Sequence, residues 1–212
     1  MTELLSSVFS LTVMRYALIV GVPIALCAAL LGVLLVLRRY AMIGDGLSHV
    51  GFGALSVAYA LNLAPMAVAV PVVILAAFLL LGLSGSRRLR GDSAIAVLSS
   101  SALALGVVAN SLAGGSATDL SGYLFGSILT LTRADVVLSV SLSAVVILLF
   151  VLFKNRIFAV TFDEPFAKSA GVRVGLYNGL LALLIAVTVV VGMRIVGTML
   201  ISSLIIFPAL GA

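Results

Sequence analysis

With 212 residues, 63% of them hydrophobic and only 9% charged, the chain falls far below the roughly 25% charge of a soluble domain. Its net charge of +5 rests on 12 Lys and Arg against 7 Asp and Glu, with a single His and a single Cys. These figures exclude a large soluble core, an internal disulfide and a Cys-based metal cluster, and the lack of alternating strand patterns sets aside an outer-membrane barrel. What remains is an all-α, polytopic membrane protein, a single transmembrane domain over residues 1–212 with about seven spans.

The head, "MTELLSSVFSLTVMRYA", carries Glu3 and lacks a basic start, so it does not read as a removable signal peptide. Residues 4–13 fit a short amphipathic helix along the membrane surface. The predicted spans follow at 16–37, 41–62, 66–84, 93–114, 134–153, 174–193 and 195–212, and Cys27 falls inside the first, where packing is its expected role. The last span stops at Ala212 without a polar flank, and at least one further helix is expected beyond it.

Nine of the 12 basic residues lie in three segments between alternate spans: Arg38 and Arg39; Arg87, Arg88 and Arg90; Lys154, Arg156, Lys168 and Arg173. That is the positive-inside pattern of cytoplasmic loops, so the basic balance reports topology and no nucleic-acid partner is implied. The N-terminus, the "NLAP" loop (62–65), residues 115–133 and the turn near Arg194 then face outward. Besides Arg15 near the N-terminus, Arg133 and Arg194 are the exceptions, and these two sit at a predicted outer edge within reach of headgroups.

The second and fourth spans open alike, with "RRYAMIGDGLS" and "RRLRGDSAIA". An Asp before an apolar helix is a good N-cap, and that is the expected role of Asp92. The outward segment 113–133, "AGGSATDLSGYLFGSILTLTR", reads either as a short helix dipping into the outer face or as an interfacial loop. The inward segment 153–175 mixes Phe162, Phe166 and Ala167 with Asp163, Glu164, Lys168 and Arg173. A short amphipathic helix is expected there, with Pro165 in its first turn. Such a helix either lies on the membrane surface or docks another protein.

No G-x-x-x-x-G-K-[ST] stretch occurs, so ATP binding through a P-loop is not expected of this chain. There is no H-E-x-x-H or G-x-S-x-G either, and one His with 7 acids leaves little for hydrolysis; an enzyme is not expected. The informative pair is Asp45 and His49 in "MIGDGLSHVGFG". An ionisable group deep in a bilayer costs about 2.5–3.5 kcal/mol on insertion scales and so marks a functional position. At i and i+4 the two share one helix face, and the glycines and Ser48 around them permit close helix approach. Either Asp45 caps the helix and His49 makes one interhelical hydrogen bond, or the two are metal ligands. One carboxylate and one imidazole cannot close a site, but two copies about a two-fold axis would supply two of each, enough for zinc or part of a manganese shell.

"RRYAMIGDGLSHVGFGALSVAYAL", "SGYLFGSILTLTRADV", "TFDEPFAKSAGVRVG" and "VVVGMRIVGTMLISSLIIFPALGA" occur in an order similar to one family. From about residue 12 onward the chain resembles the integral-membrane permease subunit of bacterial ABC importers for zinc and manganese. The resemblance implies a homodimer in the cell membrane, two cytoplasmic ATPases and an extracytoplasmic metal-binding protein. No cofactor is expected to stay bound, and zinc or manganese is the cargo. It implies that Asp45 and His49 line the metal path. It also implies that Glu164, Ala167 and Gly171 belong to the segment, about 154–173 with Phe162 and Asp163, that couples to the ATPase. Zinc is the first cargo expected and manganese the next. An ABC permease for iron chelates and an ion-coupled secondary transporter using Asp45 and His49 as a relay are the alternatives.

Overall fold

Apolar runs interrupted by Gly, Pro and charged clusters fold here into helices alone. The computed structural model describes residues 12–38, 40–83, 91–114, 122, 124–126 and 131–211. In chain order the helices are α1 (Thr12–Leu37), α2 (Ile43–Ala60), α3 (Pro65–Leu83), α4 (Gly91–Leu112), α5 (Arg133–Phe162), α6 (Glu164–Ser169), α7 (Val174–Val196) and α8 (Thr198–Leu210). The expected surface helix at residues 4–13 lies almost wholly outside the described residues, as does most of segment 113–133.

Five helices, α1, α3, α4, α5 and α7, are long and apolar enough to cross a bilayer. Two of the expected spans fall short of that standard. Helix α8 has only 13 residues, about 20 Å at 1.5 Å per residue. Helix α2 is diluted by Asp45, Ser48, His49, Ser56 and its glycines. It tolerates them because it is wrapped by α4, α3, α8 and α7 and buries 13 of its 18 residues, so lipid does not select its composition.

The echo between "IGDGLS" and "RGDSAIA" has a structural counterpart. Helices α2 and α4 lie against each other along their length. A Cβ on Gly46 would stand 2.6 Å from Ile95 Cγ2, and one on Gly53 would stand 2.5 Å from the Ala102 carbonyl oxygen. Both contacts advance by the same seven positions on each helix, so the pair runs parallel, with α3 as the return. Gly91 is already helical, so Asp92 lies within α4 rather than at the predicted N-cap. The second hub is α7, whose buried face from Leu181 to Ile195 meets α1, α3, α5, α8 and α2.

Three boundaries differ from the sequence reading. The expected span 134–153 continues to Phe162, making α5 a 30-residue helix about 45 Å long. Ile157 and Val160 keep its inner face buried past the polar Lys154–Arg156 stretch, so the helix has no reason to stop at the charges. Helix α1 already includes Thr12, four residues before the expected start at residue 16. The break after the sixth span falls at Gly197 rather than Arg194, because Gly197 adopts φ 91°, ψ 163°, a conformation open to glycine and strained for other residues. Gly126, at φ 74°, packs backbone to backbone on the same break, where a Cβ would stand 2.5 Å from the Val196 carbonyl carbon.

Candidate metal path and coupling segment

Helix α2 begins at Ile43 behind Met42, which makes no side-chain capping bond. Asp45 is therefore a first-turn residue, suited to the positive end of the helix dipole but not the cap. Its Oδ1 lies 3.6 Å from His49 Nε2, with the side chains 33% and 17% exposed. That is too long for a hydrogen bond. It is close to the separation of about 3.4 Å between two donors on a tetrahedral ion with arms of about 2.1 Å. His49 Nδ1 is buried without a hydrogen-bond partner, so the interhelical bond of the structural alternative is not made through that nitrogen.

Ser48, fully buried, sets the turn between them. Its hydroxyl donates to the Asp45 carbonyl oxygen at 2.8 Å and meets Ser202 Oγ of α8 at 3.2 Å. Ser202 in turn donates to the Thr198 carbonyl at 3.0 Å. This serine contact pins α2 to α8 one residue from His49. Nothing in the local sequence pattern marked Ser202, because its partner lies 154 positions away. Among the described residues no group of three His, Cys, Asp or Glu comes together, so one chain offers the carboxylate and the imidazole and no third such ligand.

Following the C-terminal end of the long α5, the expected amphipathic helix is present as α6. Asp163 is its N-cap, accepting a hydrogen bond from the Phe166 backbone N–H at 2.9 Å, and Pro165 occupies the first turn. Ala167 points inward and is buried with Val160 and Val172, which anchors α6 to the end of α5. Gly171 follows the helix at φ 79°, and no atom crowds its missing Cβ, so its backbone angle alone accounts for glycine there. Phe162 and Phe166 remain exposed, at 69% and 66%. The segment thus separates an anchor, Ala167, from a presented surface of Phe162, Glu164 and Phe166.

Arg38 is the residue that local sequence reading undervalued here. It donates from Nε to Thr161 Oγ1 at 3.2 Å and from Nη1 to Asn178 Oδ1 at 2.7 Å, tying the end of α1 to α5 and α7. Burial pulls its pKa below the ordinary arginine value, and nearby Glu164 partly opposes that shift. On the other side of the molecule Arg133 and Arg194, expected at headgroup level, also have protein partners. Arg194 pairs with Asp135 at 2.6 Å, Asp135 completes a capping box with Thr132, and Arg133 Nε donates to the Tyr16 hydroxyl at 3.1 Å.

Fold and site together define a multi-pass membrane protein whose ionisable pair sits on its most enclosed helix. The chain belongs to the ABC 3 transport family, which matches residues 10–212. It is thereby a permease, the membrane-embedded transport component, of the cell membrane. It is 31% identical over 196 residues to the manganese import system permease protein ScaB of Streptococcus gordonii, covering 92% of this chain and 70% of that one. It is 34% identical over 197 residues to a probable metal transport system membrane protein of Thermotoga maritima, covering 93% and 70%. The solved structure of PsaBC from Streptococcus pneumoniae in complex with Fab superposes with a TM-score of 0.84 at 31% identity, covering 99% of this chain and 75% of that one.

Proposed function

We propose that this chain is the passage-forming subunit through which a divalent metal ion enters the cell, with manganese ahead of zinc. Relatives from Streptococcus gordonii and Halalkalibacterium halodurans are named for manganese, which reverses the expected order of zinc before manganese. The observation that carries the reading is the Asp45–His49 pair, spaced for one ion and placed on the innermost helix. Two copies of the chain would bring two carboxylates and two imidazoles to the axis, a set that supplies four donors for zinc but only part of a manganese shell. An incomplete first shell favours release, and a transported ion must leave. Energy would come from separate cytoplasmic ATPase subunits seated against α6, and the ion from an extracytoplasmic binding protein on the outer face. The site is chemically neutral between the two metals, since both accept carboxylate and imidazole ligands.

The test is uptake of manganese by the assembled transporter in vesicles. His49→Ala and Asp45→Asn are each expected to reduce uptake by at least about ten-fold, the loss of one ligand from a small set, with normal assembly. Asn preserves the polarity and size of Asp while removing the anionic ligand. Wild-type uptake of both manganese and zinc in both variants would overturn the metal path.

A further inference from the structure

A cavity of about 670 Å³ lies where α1, α3 and α5 end and α7 begins, beside the basic loops. Its polar wall includes Arg38, Tyr40, Thr161, Asn178 and Glu164, and Leu37 and Phe78 are among its apolar residues. The size is that of a small-molecule site, about 300–1,000 Å³. Neither the transport pathway nor the metal pair accounts for it.

Two features define the occupant. Arg38 and Glu164 line the same cavity, yet the guanidinium turns its Nε and one Nη to Thr161 and Asn178 rather than to the carboxylate. A guanidinium has five N–H donors, and the two neutral acceptors hold it in one orientation with Glu164 near enough to act on its charge but not in a direct ion pair. The cavity therefore presents one fixed positive and one negative group that do not neutralise each other directly. Leu37 and Phe78, 46% and 45% exposed, belong to helices long and apolar enough to span a bilayer and give the cavity an exposed apolar border.

We propose that this cavity binds the headgroup of an aminophospholipid, with the phosphate on Arg38, the primary ammonium on Glu164 and the acyl chains leaving over Leu37 and Phe78. Cavities with basic side chains between membrane helices recurrently take lipid headgroups. Here the carboxylate repels a purely anionic headgroup, and a choline headgroup has no N–H to donate to it. The bound headgroup would bridge α1, α5, α7 and the first residue of α6, joining the bundle to the coupling segment. A soluble phosphoethanolamine carries the same polar chemistry, but the apolar border favours the lipid as its source.

The experiment is native mass spectrometry of the full transporter released from nanodiscs of equimolar phosphatidylethanolamine, phosphatidylglycerol and phosphatidylcholine. Retained phosphatidylethanolamine is expected to exceed the other two, and Arg38→Met to lower it about ten-fold, the equivalent of one charge-assisted hydrogen bond. Glu164→Gln is expected to erase the preference over phosphatidylglycerol while keeping lipid bound. Asn178→Leu, which frees the guanidinium, tests the site if Arg38→Met does not assemble. Retained lipid that mirrors the nanodisc, retention unchanged in these variants, or full displacement by soluble phosphoethanolamine would each overturn the proposal. The readout is lipid mass, so it stands or falls separately from metal uptake.

Discussion

Gly53 has no room for a side chain because the obstacle is backbone: its Cβ would stand 2.5 Å from the Ala102 carbonyl oxygen, and Gly106 opposite would approach Gly53 Cα at 3.0 Å. A flexible side chain could swing away, but a helix carbonyl cannot. Gly53→Ala must therefore push α2 and α4 apart, an overpacking cost of about 1–3 kcal/mol. Gly21→Ala in α1 is the control, since no atom lies within 4 Å of its Cβ position. Thermal unfolding in detergent should show a clear drop in midpoint for Gly53→Ala and none for Gly21→Ala. Equal midpoints would mean that the α2–α4 contact is looser than described. The position matters for the site because α2 carries Asp45 and His49, and a shift of that helix moves both ligands.

Short as it is, α6 depends on its ends. Asp163 caps it, Gly171 turns the chain after it, and Ala167 holds it to Val160 and Val172. Asp163→Ala removes the cap and should cost about 1 kcal/mol locally, whereas Asn caps as well as Asp. If α6 is the element that receives the ATPase, Asp163→Ala should lower binding-protein-stimulated ATP hydrolysis several-fold, Asp163→Asn should retain it, and Glu164→Arg should abolish it. Hydrolysis that stays at the wild-type level in Asp163→Ala and Glu164→Arg alike would exclude α6 from coupling. Gly171→Ala adds a backbone test, because an alanine at φ 79° is strained even in open space. It should loosen the link from α6 to α7 without introducing a clash.

For the whole molecule, the parallel α2–α4 pair and the alternation of basic loops make one topological claim: α6 and the cavity lie inside, and the α2–α3 turn at Leu63 lies outside. Cysteine labelling in a Cys27→Ala background decides it. The native thiol is buried, donating to the Ser143 carbonyl at 3.5 Å, so its loss removes one weak bond. In intact cells an impermeant maleimide should label Leu63→Cys, which is exposed, and should leave Ser169→Cys unlabelled until the membrane is opened. The opposite pattern would invert the molecule and place α6 away from any cytoplasmic ATPase.

Several parts of this protein were legible in its residues alone, for identifiable reasons. Long apolar runs dictate membrane helices because a backbone in hydrocarbon must satisfy its own hydrogen bonds, and the i, i+4 period places Asp45 and His49 on one face whatever surrounds them. Asp163 before Pro165 signals a helix start by local stereochemistry, and α6 begins there. Other features depend on partners far apart in sequence, which local rules do not register. Phe162 ends α5 because Ile157 and Val160 find buried partners, and Arg38 is fixed by Thr161 and Asn178, 123 and 140 positions away. Arg194 meets Asp135 across α5 and α7 for the same reason. Likewise α2 carries polar residues at membrane depth because other helices, not lipid, surround it. Composition decides that a chain enters the bilayer; only packing decides which of its helices lipid touches.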